Sequence, residues 1–281
     1  MELTAVGKRY GRQGRWILRG VDLALGPGEL VRISGRNGSG KSTLLRLAAG
    51  IERPSTGRVR RPGPVAYVPE RFPPALPFDA VSYLLRVGRV HGLPAEPARR
   101  RAEEWLDRFG VASRAGTPLS RLSKGTCQKV AVAQALLPQA RVLLLDEAWT
   151  GLDPEARAVL DEAAAERAAA GGTVLFVDHD PARLAGLTSA AYRVGADGAL
   201  RPEEVAEPAV DGPLMELEVD VPGGAPLPAS LPGAPEVAAL AGTAVRLTVP
   251  AAHSDALLRR LLLGRPAVRV LAVRRLAEGG R

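Results

Sequence analysis

Ser34 to Thr43 read SGRNGSGKST. Ahead of this stretch lies LVRIS (30–34), a short apolar strand, and behind it LLRLAAGI (44–51), with helical spacing. Gly35, Gly40, Lys41 and Ser42 fit the pattern G-x-x-x-x-G-K-[ST], and strand, glycine loop, helix is the context that pattern requires. The fold is constrained accordingly. A buried strand must deliver the chain to the loop, and a helix must leave it with its positive N-terminal end facing the loop.

The chain carries 38 Lys and Arg residues, of which only four are Lys, yet position 41 is one of those four. An ammonium is a compact charge on a thin stem that can reach between two phosphates inside a tight loop; a guanidinium is a broad planar fork. Glycines at 35, 38 and 40 let the backbone curl so that successive N–H groups, with those of Asn37 and Ser39, point at a polyphosphate. Ser42 can place a hydroxyl on Mg²⁺, and Thr43 can reach the α-phosphate.

Around this loop the elements alternate. Residues 2–34 read as strands broken by turns, and VAYVP (65–69), RVLLLDEAW (141–149) and TVLFVDHD (173–180) as strands, the last two with polar ends. Residues 78–92, 96–110, 124–137 and 154–170 read as helices, the last opening at Pro154 and closing at GG (171–172). This order predicts an α/β fold: a mostly parallel P-loop sheet covered on both faces. Beyond residue 200 the texture changes to a linker (201–213) and then strand, Pro/Gly loop (223–235), strand, helix and strand over 214–281, a small α+β appendage.

LLLDE ends in Asp146 and Glu147, LSKGTCQKV (122–130) precedes it, WTGLD (149–153) follows it, and VDHDP (177–181) closes the series. In set and order, over residues 2–200, these motifs resemble the ATP-binding-cassette (ABC) ATPases. The resemblance implies a nucleotide-binding domain at 1–200 with an antiparallel N-terminal β part and a helical subdomain at 78–137. LLLDE looks like a Walker B: Asp146 would hold Mg²⁺ through water, and Glu147 would be general base for the attacking water. LSKGT looks like the signature loop, usually LSGGQ; Ser123 and Gly125 match, and Lys124 stands for a Gly. It would meet the γ-phosphate held by the opposite subunit. Asp153 matches the D-loop, and His179 stands where the family keeps the switch histidine that orients Glu147 and the water. Lys41, Glu147 and His179 are thus the catalytic set.

Three readings have a plain alternative. Ser123 before a helix is also an ordinary N-cap, Asp153-Pro154 is also a good helix start, and Tyr10, at the family's adenine-stacking position, fits equally as a surface or core tyrosine. Glu70 departs from the family, which usually has Gln there; a carboxylate could still ligate Mg²⁺ but adds negative charge beside a triphosphate.

The resemblance implies ATP and Mg²⁺ as cofactors, a homodimer in the ATP-bound state, and a separate transmembrane permease as partner. No stretch approaches the roughly 20 apolar residues of a membrane span, and MELTAVGKRYG has no apolar core of signal-peptide length. The expected place is therefore the cytoplasm, peripheral on the inner face of the cell membrane. Export of a drug, peptide or lipid is the favoured direction, since the appendage is short; import is the alternative. A soluble ABC ATPase acting on nucleic acid has only the formal charge of +8 behind it, so no nucleic acid is expected. A scaffold without turnover disagrees with the presence of Glu147 and His179. Cys127, the single cysteine, reads as a buried thiol, and His91 and His253 as structural.

Overall fold

The computed structural model describes residues 1–205 apart from 12, 71, 74 and 181, and beyond them 214–224, 227, 231–233, 235–262 and 268–276. Most of the expected linker (206–213), parts of the Pro/Gly loop (223–235) and Pro181 lie outside these residues. The chain divides into two compact units, Met1–Arg183 with Thr188–Val205, and Leu184–Leu187 with Ala206–Arg281.

In the first unit the strands β1 (Glu2–Arg9) and β2 (Trp16–Ala24) form an antiparallel pair. The strand β3 (Leu30–Ser34) leads into α1 (Lys41–Ala49). Then come β4 (Thr56–Arg60), β5 (Val65–Val68), α2 (Ala80–Val90), α3 (Ala95–Arg108), α4 (Lys124–Leu136), β6 (Val142–Asp146), α5 (Pro154–Ala169), β7 (Thr173–Val177), β8 (Ala190–Val194) and β9 (Leu200–Glu203). β2, β1 and β4 make a three-stranded antiparallel sheet in that order. The main sheet has the order β5-β6-β7-β3-β8-β9, parallel except for β9. Every residue of β6 and β7 is buried, as a parallel sheet covered on both faces requires.

The strand order places the site. β7 lies between β3 and β6, with Ile33 and Asp146 both paired to Val177. The C-terminal ends of three strands far apart in sequence therefore stand in one row, and the glycine loop, Asp146 and the residues after Val177 all emerge from it. Ligands of open α/β sheets bind at this edge.

Residues 201–203, expected as the start of a linker, instead pair antiparallel with β8 and complete the sheet edge. Neither β8 nor β9 has the buried run that marks a central strand, and Pro202 is tolerated because β9 is an edge. β4 was likewise illegible, being exposed along most of its length.

The second unit contains β10 (Leu214–Asp220), β11 (Glu236–Ala239), β12 (Ala244–Pro250), α6 (Ala251–Leu262) and β13 (Arg269–Arg275), with the antiparallel order β11-β12-β10-β13. Leu217, Val219, Leu247 and Val249 alternate onto one face and pack with Leu257 and Leu261 of α6. Glu216 and Glu218, the residues between, reach Arg246 on the neighbouring strand at 3.4 and 2.9 Å.

Candidate nucleotide-binding and hydrolysis site

Gly35 and Gly40 take φ values of 142° and 109°, which L side chains rarely adopt. A Cβ at Gly35 would fall 2.8 Å from the Ser39 hydroxyl and from the Val194 carbonyl, so the loop can curl this tightly only with a bare backbone there. Among the described residues the buried Ser39 hydroxyl has no hydrogen-bond partner. Lys41 is 6% exposed, and its ammonium donates to the carbonyls of Gly35 and Arg36 at 3.0 and 3.3 Å. The loop thus holds its cation inside its own curve. Asn37 and Gly38 form the exposed crest, and Arg46 donates to the Thr43 hydroxyl at 3.4 Å.

Ser42 donates to one oxygen of Asp146 at 3.0 Å, across 104 residues of sequence. Tyr67 donates to the other oxygen, also at 3.0 Å. Asp146 is 1% exposed. Burial pushes its carboxyl up; the bonds from Tyr67 and Ser42 act against this, while the charges of Glu147 and Glu70 add to it. Burial, with the Asp146 charge beside it, pushes the Tyr67 phenol up as well, so Tyr67 stays a donor. Excess negative charge around a desolvated carboxylate and a serine hydroxyl is a set of hard oxygens that suits Mg²⁺. Among the described residues no three His, Cys, Asp or Glu side chains gather to cage an ion. Mg²⁺ commonly takes one or two carboxylates and completes its shell with water and substrate phosphates, so the residues fit it on those terms.

Glu147 is one of few non-glycine residues with positive φ, at 50°. Its N–H donates to the Val177 carbonyl at 3.1 Å and its carbonyl accepts from Thr150 at 3.0 Å, which pins a backbone conformation that costs on the order of 1 kcal/mol or more. The strained turn aims the carboxylate at His179, whose Nε2 lies 3.0 Å from Glu147 Oε1.

The motif LSKGT also meets WTGLD. Ser123 caps α4, accepting from Thr126 N at 3.2 Å, and Asp153 caps α5, accepting from Ala156 N at 2.9 Å. Both plain helix-start readings therefore hold. Lys129 of α4 pairs with Asp153 at 2.6 Å, which holds the Asp153 carboxyl below its ordinary value. Gln128 donates to the Ala148 carbonyl at 3.2 Å, and Gly125 sits so near the Gly151 carbonyl that a Cβ would lie 3.1 Å from it. Lys124 is exposed beside them.

Tyr10 is 51% exposed and its hydroxyl donates to both oxygens of Glu52 at 2.9 Å. Glu52 also accepts from Arg46, so Tyr10 is linked to Thr43 through two side chains. Beside the loop crest a hollow of about 300 Å³ is lined by Arg15, Trp16 and Arg36, with the Arg9 guanidinium over the Trp16 ring at 5.0 Å. Glu70 is exposed, close enough for its charge to act on Asp146 and Tyr67.

Several site residues had no sequence signal. Tyr67 looked like an ordinary strand residue, and Gln128, Lys129 and Trp16 lay outside any expected role. Arg183 was equally silent. It bridges Asp161 at 3.0 Å and lies over the Trp149 ring at 5.6 Å, and so ties α5 to the segment that carries His179. His91 closes α2, and burial lowers His253.

Fold and site define a P-loop nucleotide-binding protein. Residues 18–150 match the ABC transporter family. The lipoprotein-releasing system ATP-binding protein LolD of Maricaulis maris is 36% identical over 222 residues, covering 72% of this chain and 96% of that relative. The zinc import ATP-binding protein ZnuC of Cereibacter sphaeroides is 40% identical over 186 residues, 64% of this chain and 74% of its own. The macrolide export ATP-binding/permease protein MacB of Paracoccus denitrificans is 35% identical over 204 residues, 64% of this chain but 30% of that longer relative. A dimeric post-hydrolysis ATP-binding cassette solved with ADP and phosphate superposes with a TM-score of 0.64 at 25% identity, over 73% of this chain and 98% of that one. The chain belongs to the ABC transporter family and is one of its ATP-binding ATPase subunits.

Proposed function

We propose that this ATPase drives a separate transmembrane permease from the inner face of the cell membrane, in export of a drug, peptide or lipid. The observation that carries the reading is the meeting of Glu147 with His179 at 3.0 Å next to the Ser42–Asp146 bond. A base and its orienter stand beside a phosphate loop, which is the geometry of hydrolysis.

The amides from Gly35 to Thr43 and the Lys41 ammonium bind the phosphates. A triphosphate takes the place of the Gly35 and Arg36 carbonyls as the partner of Lys41. Ser42 and Asp146 would hold Mg²⁺, with Glu70 in reach of its shell; bound there, the ion neutralises phosphate charge. Glu147 accepts a proton from the attacking water, and His179 holds the Glu147 carboxylate in place. Tyr10 or Trp16 offers a ring to the base. Ser123, Lys124 and Gly125 of a second copy close over the γ-phosphate, and the Lys129–Asp153 bridge moves the signature helix and the D-loop together. The helical region 78–137 docks on the permease, reached through the segment from Glu70 to Asp79. Among the described residues no helix is long and apolar enough to cross a membrane.

Export rests on relatives named for release and macrolide export; import is the second reading, favoured by the 40% identity to a zinc import protein. ATP hydrolysis is measured for the wild type and Glu147→Gln. The variant keeps ATP binding and loses about 10²–10⁴-fold in turnover, the usual weight of a general base; equal rates overturn the catalytic assignment. Cargo accumulation in inside-out vesicles, as against depletion, separates export from import.

A further inference from the structure

At the edge of the main sheet remote from the phosphate loop, where β6 and β7 begin, a cleft of about 840 Å³ opens between α3, α5 and the connection from α4 to β6. Four arginines and two carboxylates, Glu104 and Glu166, line it; Arg108 pairs with Glu162 and Glu166, and the other three arginines converge from three elements. Arg101 of α3 donates to the Leu137 carbonyl at 3.4 Å and to the Gln139 side chain at 3.1 Å. Arg167 of α5 donates to the Ala140 carbonyl. Arg141 closes the same connection. The two guanidiniums from α3 and α5 therefore straddle one stretch of five residues, and the acceptors they reach, two carbonyls and an amide oxygen, are neutral. Among the described residues none of these three arginines forms an ion pair; of the two carboxylates in the lining, Glu166 is engaged by Arg108 and Glu104 by Arg100.

Such a cluster is costly without a counter-charge. Arg167 is half-buried, and burial together with the Arg101 charge lowers it below the ordinary arginine value. The backbone is nevertheless shaped to keep it there. A Cβ at Gly172 would fall 2.7 Å from Arg167 Cδ, 2.9 Å from its Cγ and 2.9 Å from its carbonyl oxygen, so a bare residue at 172 leaves room both for the arginine stem and for the close approach of the backbone. Gly172 has no positive φ to explain it; the glycine serves space, not backbone conformation. Planar guanidiniums brought together with neutral acceptors behind and an open cleft in front are suited to a multivalent oxyanion bound by charge-assisted forks. The volume exceeds what one phosphate fills and falls in the range of small-molecule sites. The rest of the wall, with Leu25, Pro27 and Trp105, offers apolar surface to an organic group.

We propose that this cleft is a second ligand site, distinct from the nucleotide site, that takes a phosphate-bearing anion on Arg101, Arg141 and Arg167. The proposal does not depend on the transport reading. The test is calorimetric titration of the full chain with inorganic pyrophosphate while saturating Mg·ADP occupies the phosphate loop. The wild type binds one equivalent of pyrophosphate. Arg101→Gln and Arg167→Gln each weaken binding about tenfold or more, the weight of one charge-assisted contact. Arg99→Gln, on the solvated face of the same helix and paired with Glu103 outside the cleft, leaves it within about twofold. Unchanged Mg·ADP affinity shows that each variant is folded; Arg101→Gln serves if the half-buried Arg167 proves necessary for folding. No saturable heat at millimolar pyrophosphate, or equal binding by wild type and Arg101→Gln, overturns the proposal. Flotation with phosphatidylglycerol vesicles separates the two sources of phosphate. Vesicle binding that pyrophosphate competes away, and that Arg101→Gln loses, assigns the site to a lipid headgroup; pyrophosphate binding with no such vesicle binding assigns it to a free phosphate compound.

Discussion

Tyr67→Phe removes one oxygen and almost no volume, so its effect isolates a single hydrogen bond. In the folded chain the Tyr67 hydroxyl donates at 3.0 Å to the oxygen of Asp146 that Ser42 does not hold. Asp146 is 1% exposed, and water has poor access to replace the lost donor. A hydrogen bond to a charged group contributes about 1.5–3 kcal/mol, and removing it from a buried acceptor forfeits that amount. For a cooperative unit of 150–250 residues each kcal/mol moves Tm by about 2–4 °C, so the nucleotide-free variant melts several degrees below wild type. With Mg·ATP present the difference shrinks, because Mg²⁺ held by Ser42 and Asp146 supplies the counter-charge that the phenol had supplied. The assay is calorimetric melting of both proteins with and without Mg·ATP. Equal Tm values without nucleotide, or a deficit that Mg·ATP leaves undiminished, refute the reasoning that Tyr67 stabilises the charge of Asp146.

Three further outcomes follow from packing and capping. Leu175→Ala, in the fully buried β7, costs about 2–5 kcal/mol by urea unfolding, since the main sheet cannot collapse onto the void. Ser123→Ala loses the cap of α4 and about 0.5–2 kcal/mol by the same measurement, whereas Ser123→Asp recovers most of it as an alternative cap. Cys127 is 5% exposed and burial pushes its thiol up, so little thiolate is present at neutral pH; a disulfide exchange reagent reacts with it only as fast as the chain opens, and reaction at the rate of a free peptide thiol contradicts that burial.

How legible each part of the site was depends on how its contacts lie in sequence. Lys41 and its loop work through neighbours six residues away or fewer, so composition and spacing exposed them before any fold was known. Asp146 was legible because a buried strand ending in two acids is a local pattern. Tyr67 was not: its partner is 79 residues distant and is met only because β5 lies next to β6. The edge strands β4, β9 and β11 escaped for a related reason. They bury little, so no alternation of apolar residues marks them.

The chain's own letters determined the phosphate loop, the order of the elements and the class of nucleotide chemistry, because glycine freedom, helix starts and apolar runs act over a few neighbouring residues. The family resemblance implied that His179 attends Glu147; only the tertiary structure decided that Tyr67 reaches Asp146, that Lys129 bridges to Asp153, and that Arg101, Arg141 and Arg167 line one cleft. Those meetings follow from strand order and helix packing, which bring together side chains separated by dozens of residues and which no local pattern encodes.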